Sequence, residues 1–140
     1  MIHAGAGAER NIKNATTQIK FSMKPIKHSS NKATVIDLGT KVIYKFPTQT
    51  RLFDLSRMVV NGRHPENPKE FILESDCHFM IYVIKGNGRI YAGDEIFSVA
   101  TGDVVDVPPG NKFACEGKGF EYITFDVPAF YPEQSEIITE

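Results

Sequence analysis

From Thr34 onward the apolar residues fall in short runs or alternate with polar ones, and no stretch carries a helical apolar stripe. Val35-Ile36 and Val42-Ile43-Tyr44, separated by Asp37-Leu38-Gly39, are β-branched and aromatic runs that predict two short strands. Residues 52–60 predict a longer strand, closed by Asn61-Gly62. Residues 61–70, NGRHPENPKE, read as a polar, proline-containing loop. The most apolar run, residues 79–84, is six residues long between turn signals, which predicts a strand rather than a helix. Ala92-Gly93-Asp94-Glu95 predicts a hairpin turn between Arg89-Ile90-Tyr91 and Ile96-Phe97-Ser98-Val99. Thr101-Gly102-Asp103 and Pro108-Pro109-Gly110-Asn111 are further turns, and Gly117-Lys118-Gly119 precedes a last strand over residues 120–127. Turn signals this frequent between short strands predict an all-β sandwich or barrel. After Pro132, Glu133 and Glu136 suit the start of a short C-terminal helix.

The first 32 residues differ in character, with Gly5, Gly7, Ser29, Ser30 and Asn31 and only a weak apolar pattern at Ile19, Phe21 and Met23. They read as an irregular, flexible segment with one lead-in strand. Residues 33–140 then form the single barrel domain, and 140 residues suffice for a real core. A net charge of −1 with no basic stripe gives no general attraction to nucleic acid or to an anionic membrane. No apolar run is long enough to span a bilayer, and no secretory signal is visible. Two cysteines are too few for a disulfide scaffold, so a cytoplasmic protein is expected.

The segment from Gly102 to Phe113, GDVVDVPPGNKF, carries the sharpest pattern. Gly102, Pro108 and Gly110 match the spacing G-x5-P-x-G-x2-H-x3-N, with Phe113 at the histidine and Gly117 at the asparagine. Gly86 fits the end of a second pattern, G-x5-HxH-x3/4-E-x6-G, with Phe79 at the glutamate. The paired histidines would fall at Ile72 and Glu74, or at Leu73 and Ser75, and Gly62 lies near the opening glycine. These two patterns resemble the motifs of the cupin superfamily over roughly residues 34–127. The resemblance implies a double-stranded β-helix, the jelly-roll barrel, and a homodimer. Cupin metals are held by three imidazoles and a carboxylate. Phe79 and Phe113 have no lone pair to offer, and one carboxylate, Glu74, does not hold a transition metal. No metal and no cofactor are therefore expected.

Side chains two apart on a strand share a face. If Phe79 and Phe113 point inward, so do Cys77, Ile81, Val83 and Cys115. That predicts either an apolar, aromatic-lined pocket for a small organic molecule or a barrel filled by its own side chains. Cys77 and Cys115 read chiefly as buried thiols; a redox pair, or a metal site with His78 or Glu74, is the alternative. His78 falls in the outward phase. Asp106 interrupts an apolar strand, either on the outer face or rim, or in the pocket beside a ligand. Tyr82 and Tyr122 read as structural, with phenols at the rim. Arg63 and His64 lie in a loop leading toward the barrel mouth, where an arginine could clamp a carboxylate or phosphate. Phe125, Val127, Phe130 and Tyr131 form an apolar end that closes the barrel or crosses to a second subunit. The expected ligand-binding set is thus Phe79, Ile81, Phe113, Cys77, Cys115, Asp106, Arg63 and His64. The function expected is a metal-free cupin with a sensing, carrier or accessory role. The alternative is a metal-independent isomerase or epimerase acting on a sugar or related metabolite.

Overall fold

The computed structural model describes residues 23–140. Ten strands and two short 3-10 turns make up its regular structure, with no α-helix among the described residues. β1 (Thr34–Asp37), β2 (Lys41–Lys45) and β3 (Asp54–His64) form an antiparallel meander. β4 (Glu70–Glu74), β5 (His78–Lys85), β6 (Asn87–Ala92), β7 (Glu95–Ala100) and β8 (Val104–Val107) follow, then β9 (Lys112–Val127) and β10 (Ser135–Thr139).

Two long strands, β3 with 11 residues and β9 with 16, join the layers of the barrel. The first part of β3 pairs with the last part of β9, which pairs on its other edge with β5, and β5 with β8. The end of β3 and then β4 flank the first part of β9, with β6 on its opposite edge and β7 beyond. β10 adds to the free edge of β4. The sheet thereby curls around one core in jelly-roll fashion, as the turn spacing predicts.

Alternation decides which side chains enter that core. On β5, Phe79, Ile81 and Val83 are buried while Met80, Tyr82 and Ile84 face out. Val60, Ile90 and Phe120 complete the fully buried centre. Phe120 lies against the backbone of Gly88 and Gly117: a Cβ on Gly88 would stand 2.6 Å from its Cδ2, and one on Gly117 2.7 Å from its Cβ. No larger residue fits at either position without displacing the ring.

Four elements differ from the sequence reading. Asn61-Gly62 does not close β3; the register shifts between Val60 and Gly62, and the strand runs on to His64. Gly62 takes a φ of 123° at this bulge, a conformation that glycine alone adopts readily. The loop shrinks to residues 65–69. β3 takes up residues 61–64 of the expected loop and β4 begins at its last residue, Glu70, while β9 continues through Gly117-Lys118-Gly119 without a break. The expected C-terminal helix is one 3-10 turn, Pro132–Gln134, after which β10 pairs with β4. Of the N-terminal segment, residues 1–22, with Ile19 and Phe21 of the expected lead-in strand, lie outside the described residues. Residues 23–29 have no regular structure and precede the 3-10 turn Ser30–Lys32. No helix among the described residues is long and apolar enough to cross a membrane.

Candidate ligand cavity

Strand register places the inward side chains of β2, β3, β9 and β5 in rows across the sheet. One row holds Ile43, Met58, Tyr122 and Val83, and the next Lys45, Ser56, Thr124 and Ile81. The outermost holds Asp54, Asp126 and Phe79. On the other side of the first row Lys41 faces inward opposite Val60. A cavity of about 320 Å³ opens over these rows. Buried Phe79 and Phe113 form its base, with ring centroids 5.2 Å apart and planes at 90°, the favoured edge-to-face arrangement of two aromatic rings. Exposed Ile36, Leu38 and Ile137 line its mouth.

The polar groups on the wall are held by their neighbours in distinct charge states. Burial, followed by the charges of Lys41 and Arg63, lowers the pKa of His64 to about 4, so its imidazole is neutral at pH 7 with a lone pair to offer. Burial raises the Glu74 pKa; its Oε2 accepts a 2.5 Å hydrogen bond from Gln134 Nε2. Asp126 faces Asp54 across the β3–β9 ladder. Burial, then the hydrogen bond and charge of Asp54, push Asp126 up to about 8. The pair therefore shares a proton at neutral pH. Asp54 Oδ2 accepts from the Phe130 N–H at 3.0 Å and lies 3.9 Å from Lys45 Nζ.

Three more cavity residues stand out by lacking partners. The Tyr122 hydroxyl and Thr124 Oγ1 are fully enclosed and make no hydrogen bond among the described residues. Burial raises the Tyr122 pKa, so the phenol is protonated. Lys41 is 5% exposed and makes no ion pair or hydrogen bond among the described residues, its Nζ lying 5.8 Å from the centre of the Phe113 ring.

The residues singled out from sequence are distributed as follows. Phe79, Phe113 and His64 line the cavity. Ile81, Cys77 and Cys115 are fully buried but lie outside its lining. Both thiols are free, and Cys77 Sγ sits 3.4 Å from the Pro128 carbonyl oxygen. Asp106 is exposed on the outer face and bonded to His78, because its phase on β8 is opposite to that of Val105 and Val107. Arg63 also lies outside the cavity lining. Its guanidinium donates to the carbonyls of Pro65, Asn67 and Glu70 at 2.6, 2.6 and 3.2 Å and lies over the Phe71 and Tyr91 rings. These contacts tie down the 65–69 loop and leave no fork free for an anion. Tyr122, expected at the rim, is fully buried, whereas Tyr82 is exposed on the outer face. Phe130 lines the cavity, so this part of the apolar C-terminal end closes the barrel.

No protein-family model and no curated protein sequence matches the chain. Solved structures do. A single-substitution variant of Streptomyces PAC13 with uridine superposes with a TM-score of 0.74 at 18% identity, over 84% of this chain and 93% of that one. Another PAC13 structure is described as that of a unique nucleoside dehydratase, at 17% identity over 83% of this chain and 92% of that one, with a TM-score of 0.74. An RmlC-like cupin from Shewanella frigidimarina matches at a TM-score of 0.63 and 14% identity, over 76% of this chain and 93% of that one. This chain has the cupin fold.

On this fold the positions that the sequence patterns assign to metal ligands can be followed individually. Ile72, Glu74, Phe79 and Phe113 all line the cavity, which selects the Ile72/Glu74 register over Leu73/Ser75. Ile72 is also the cross-strand partner of Phe113. Three of the four side chains have no donor atom, and the fourth is bonded to Gln134. No group of three or more His, Cys, Asp and Glu among the described residues is arranged to hold a metal. These side chains do not supply the three imidazoles and one carboxylate that hold a cupin metal.

The polar cavity side chains that sequence reasoning missed are Lys41, Lys45, Thr124 and Asp126, with Asp54 opposite Asp126. Lys41 and Lys45 share the phase of Ile43 in KVIYK, a signal present in the sequence. Tyr122, Thr124 and Asp126 share the phase of Phe120 in the same way.

Proposed function

We propose that this cupin binds a small organic molecule in the cavity between Phe79, Phe113 and Tyr122. The observation that carries the proposal is the cavity of about 320 Å³ itself, with buried Phe79 and Phe113 at its base and the inward polar side chains Lys41, Ser56, Thr124 and Asp126 in its lining. The volume falls at the small end of ligand pockets, which run from about 300 to 1,000 Å³. Two edge-to-face rings favour a flat or ring-shaped ligand, and the uridine of the PAC13 structures is a molecule of that kind. Native mass spectrometry of untagged protein tests the proposal. A co-purified organic molecule of fixed mass, released on denaturation, supports it. A stoichiometric transition metal in the cavity contradicts it.

A second reading, metal-independent acid–base catalysis on such a molecule, is favoured by His64 and Asp126. A neutral imidazole and a protonated carboxyl in the lining of one cavity supply a base and an acid at pH 7. The nucleoside dehydratase among the structural relatives is an enzyme on the same fold. If His64→Gln left an identified turnover unchanged, this assignment would fail.

The outer face of β3, β9 and β5 exposes Leu55, Phe125 and Met80 in one row. We infer that it forms the contact of a homodimer, which sedimentation of Phe125→Glu against the native protein tests: dimer should give way to monomer. Free, buried Cys77 and Cys115 support a cytoplasmic location.

A further inference from the structure

We propose that the cavity ligand carries a carboxylate and that Lys41 is its anchor. This rests on the binding reading above and goes beyond it in naming the ligand's charge. An ammonium that is 5% exposed is expected to have an anionic partner, since an unpaired charge is among the costliest groups to bury. Lys41 has none among the described residues. None of the carboxylates around it forms an ion pair with it among the described residues, although its charge acts on Glu74 from within the same cavity. Glu74 is bonded to Gln134, and Asp54 faces Lys45 and accepts from Phe130 N–H. Asp126 stands opposite Asp54 on the β3–β9 ladder.

A single unpaired ammonium suits the single charge of a carboxylate. A phosphate dianion would call for a second cation. Lys45 sits over the Phe130 ring, 3.9 Å from Asp54, and Arg63 is engaged by three carbonyls outside the cavity. The ammonium reaches the cavity because Lys41 occupies the inward phase of β2 opposite Val60. That position is apolar by pattern, so a lysine there departs from what packing alone would select.

Benzoate, 2-furoate and nicotinate, each paired with its primary amide, test the proposal by chemical-shift titration. An acid should perturb the amides of β2 and of Phe113 and bind about tenfold or more tighter than its amide, the effect of one charge-assisted hydrogen bond. Lys41→Met should abolish that preference, and Lys41→Arg should keep it. Equal binding of acids and amides, or a preference that survives Lys41→Met, overturns the proposal while leaving the cavity a binding site. Failure of all six compounds to perturb any cavity residue overturns the binding reading and this proposal with it. A ligand-independent measurement adds a second check. Lys41→Met should raise the unfolding temperature of the empty protein, because it removes an unpaired buried charge at nearly constant volume. A lowered temperature would mean that the ammonium already has a partner, and would overturn the proposal.

Discussion

The Asp54–Asp126 pair should make this protein less stable as the pH rises through neutrality, opposite to the usual behaviour of a salt-bridged carboxylate. In the folded chain Asp126 titrates near 8, against 3.8 for a free aspartate. Between those values the folded state holds a proton that the unfolded state has released. A raised carboxylate pKa gives stability that is fully present below the unfolded value and is lost as pH climbs through the folded one. One proton is worth about 1.4 kcal/mol per pH unit. His64 acts in the opposite sense at lower pH, since its pKa falls from 6.5 to about 4. Its contribution disappears as pH drops below 6.5 and is constant above. In the window from pH 6.5 to 8 His64 therefore adds no slope, and Asp126 should lower stability there by about 2 kcal/mol. Urea unfolding at half-unit pH intervals measures this directly. Asp126→Asn keeps the shape and can still donate to Asp54, so it should remove the slope and gain on the native protein by the same amount across the window. Parallel native and Asp126→Asn curves would refute the shared proton.

Three further outcomes follow from the packing and electrostatics. His64 should stay neutral down to about pH 4 because of burial and the nearby charges, and its ring nitrogen shifts in a pH titration by NMR would show this; titration near 6.5 would place the imidazole in solvent. Phe113→Ala should cost about 3–5 kcal/mol in urea unfolding, since the ring is 4% exposed and packed edge-on against Phe79. Gly117→Ala should cost about 1–3 kcal/mol, because its methyl would meet Phe120 at 2.7 Å, and a neutral effect would mean that β9 bends differently.

The parts of the fold legible in sequence are those set by local rules. Apolar phase and length specify β5, and Ala92-Gly93-Asp94-Glu95 specifies the β6–β7 hairpin. The Pro-Gly turn before β9 belongs with them. β4 and β10 were not legible because each depends on the other. EFILE and SEIIT are short and half-buried, and they pair across more than half of the domain. Asn61-Gly62 has the composition of a turn, but pairing of Gly62 with Gly117 keeps the strand going. The base of the cavity was legible, since the phases of Phe79 and Phe113 follow from their strands. Its polar wall was not. In β9 the outward phase, Ile123, Phe125 and Val127, is more apolar than the inward one of Tyr122, Thr124 and Asp126. Hydrophobicity alone therefore points the wrong way. In β2 the lysines at the strand ends look solvated until Ile43 fixes their phase. Polar residues facing inward are where local pattern and tertiary position disagree, as expected at a functional site.

Ligand-observed NMR of a diverse small-molecule library, run on native protein and on Ile72→Trp, tests the central claim that the cavity is a binding site. Ile72 faces the cavity from β4 beside Phe113, so an indole there should fill it without touching the outer surface. Compounds that bind the native protein and lose binding in Ile72→Trp are the predicted result. A library without binders, or binders indifferent to the filled cavity, would contradict it.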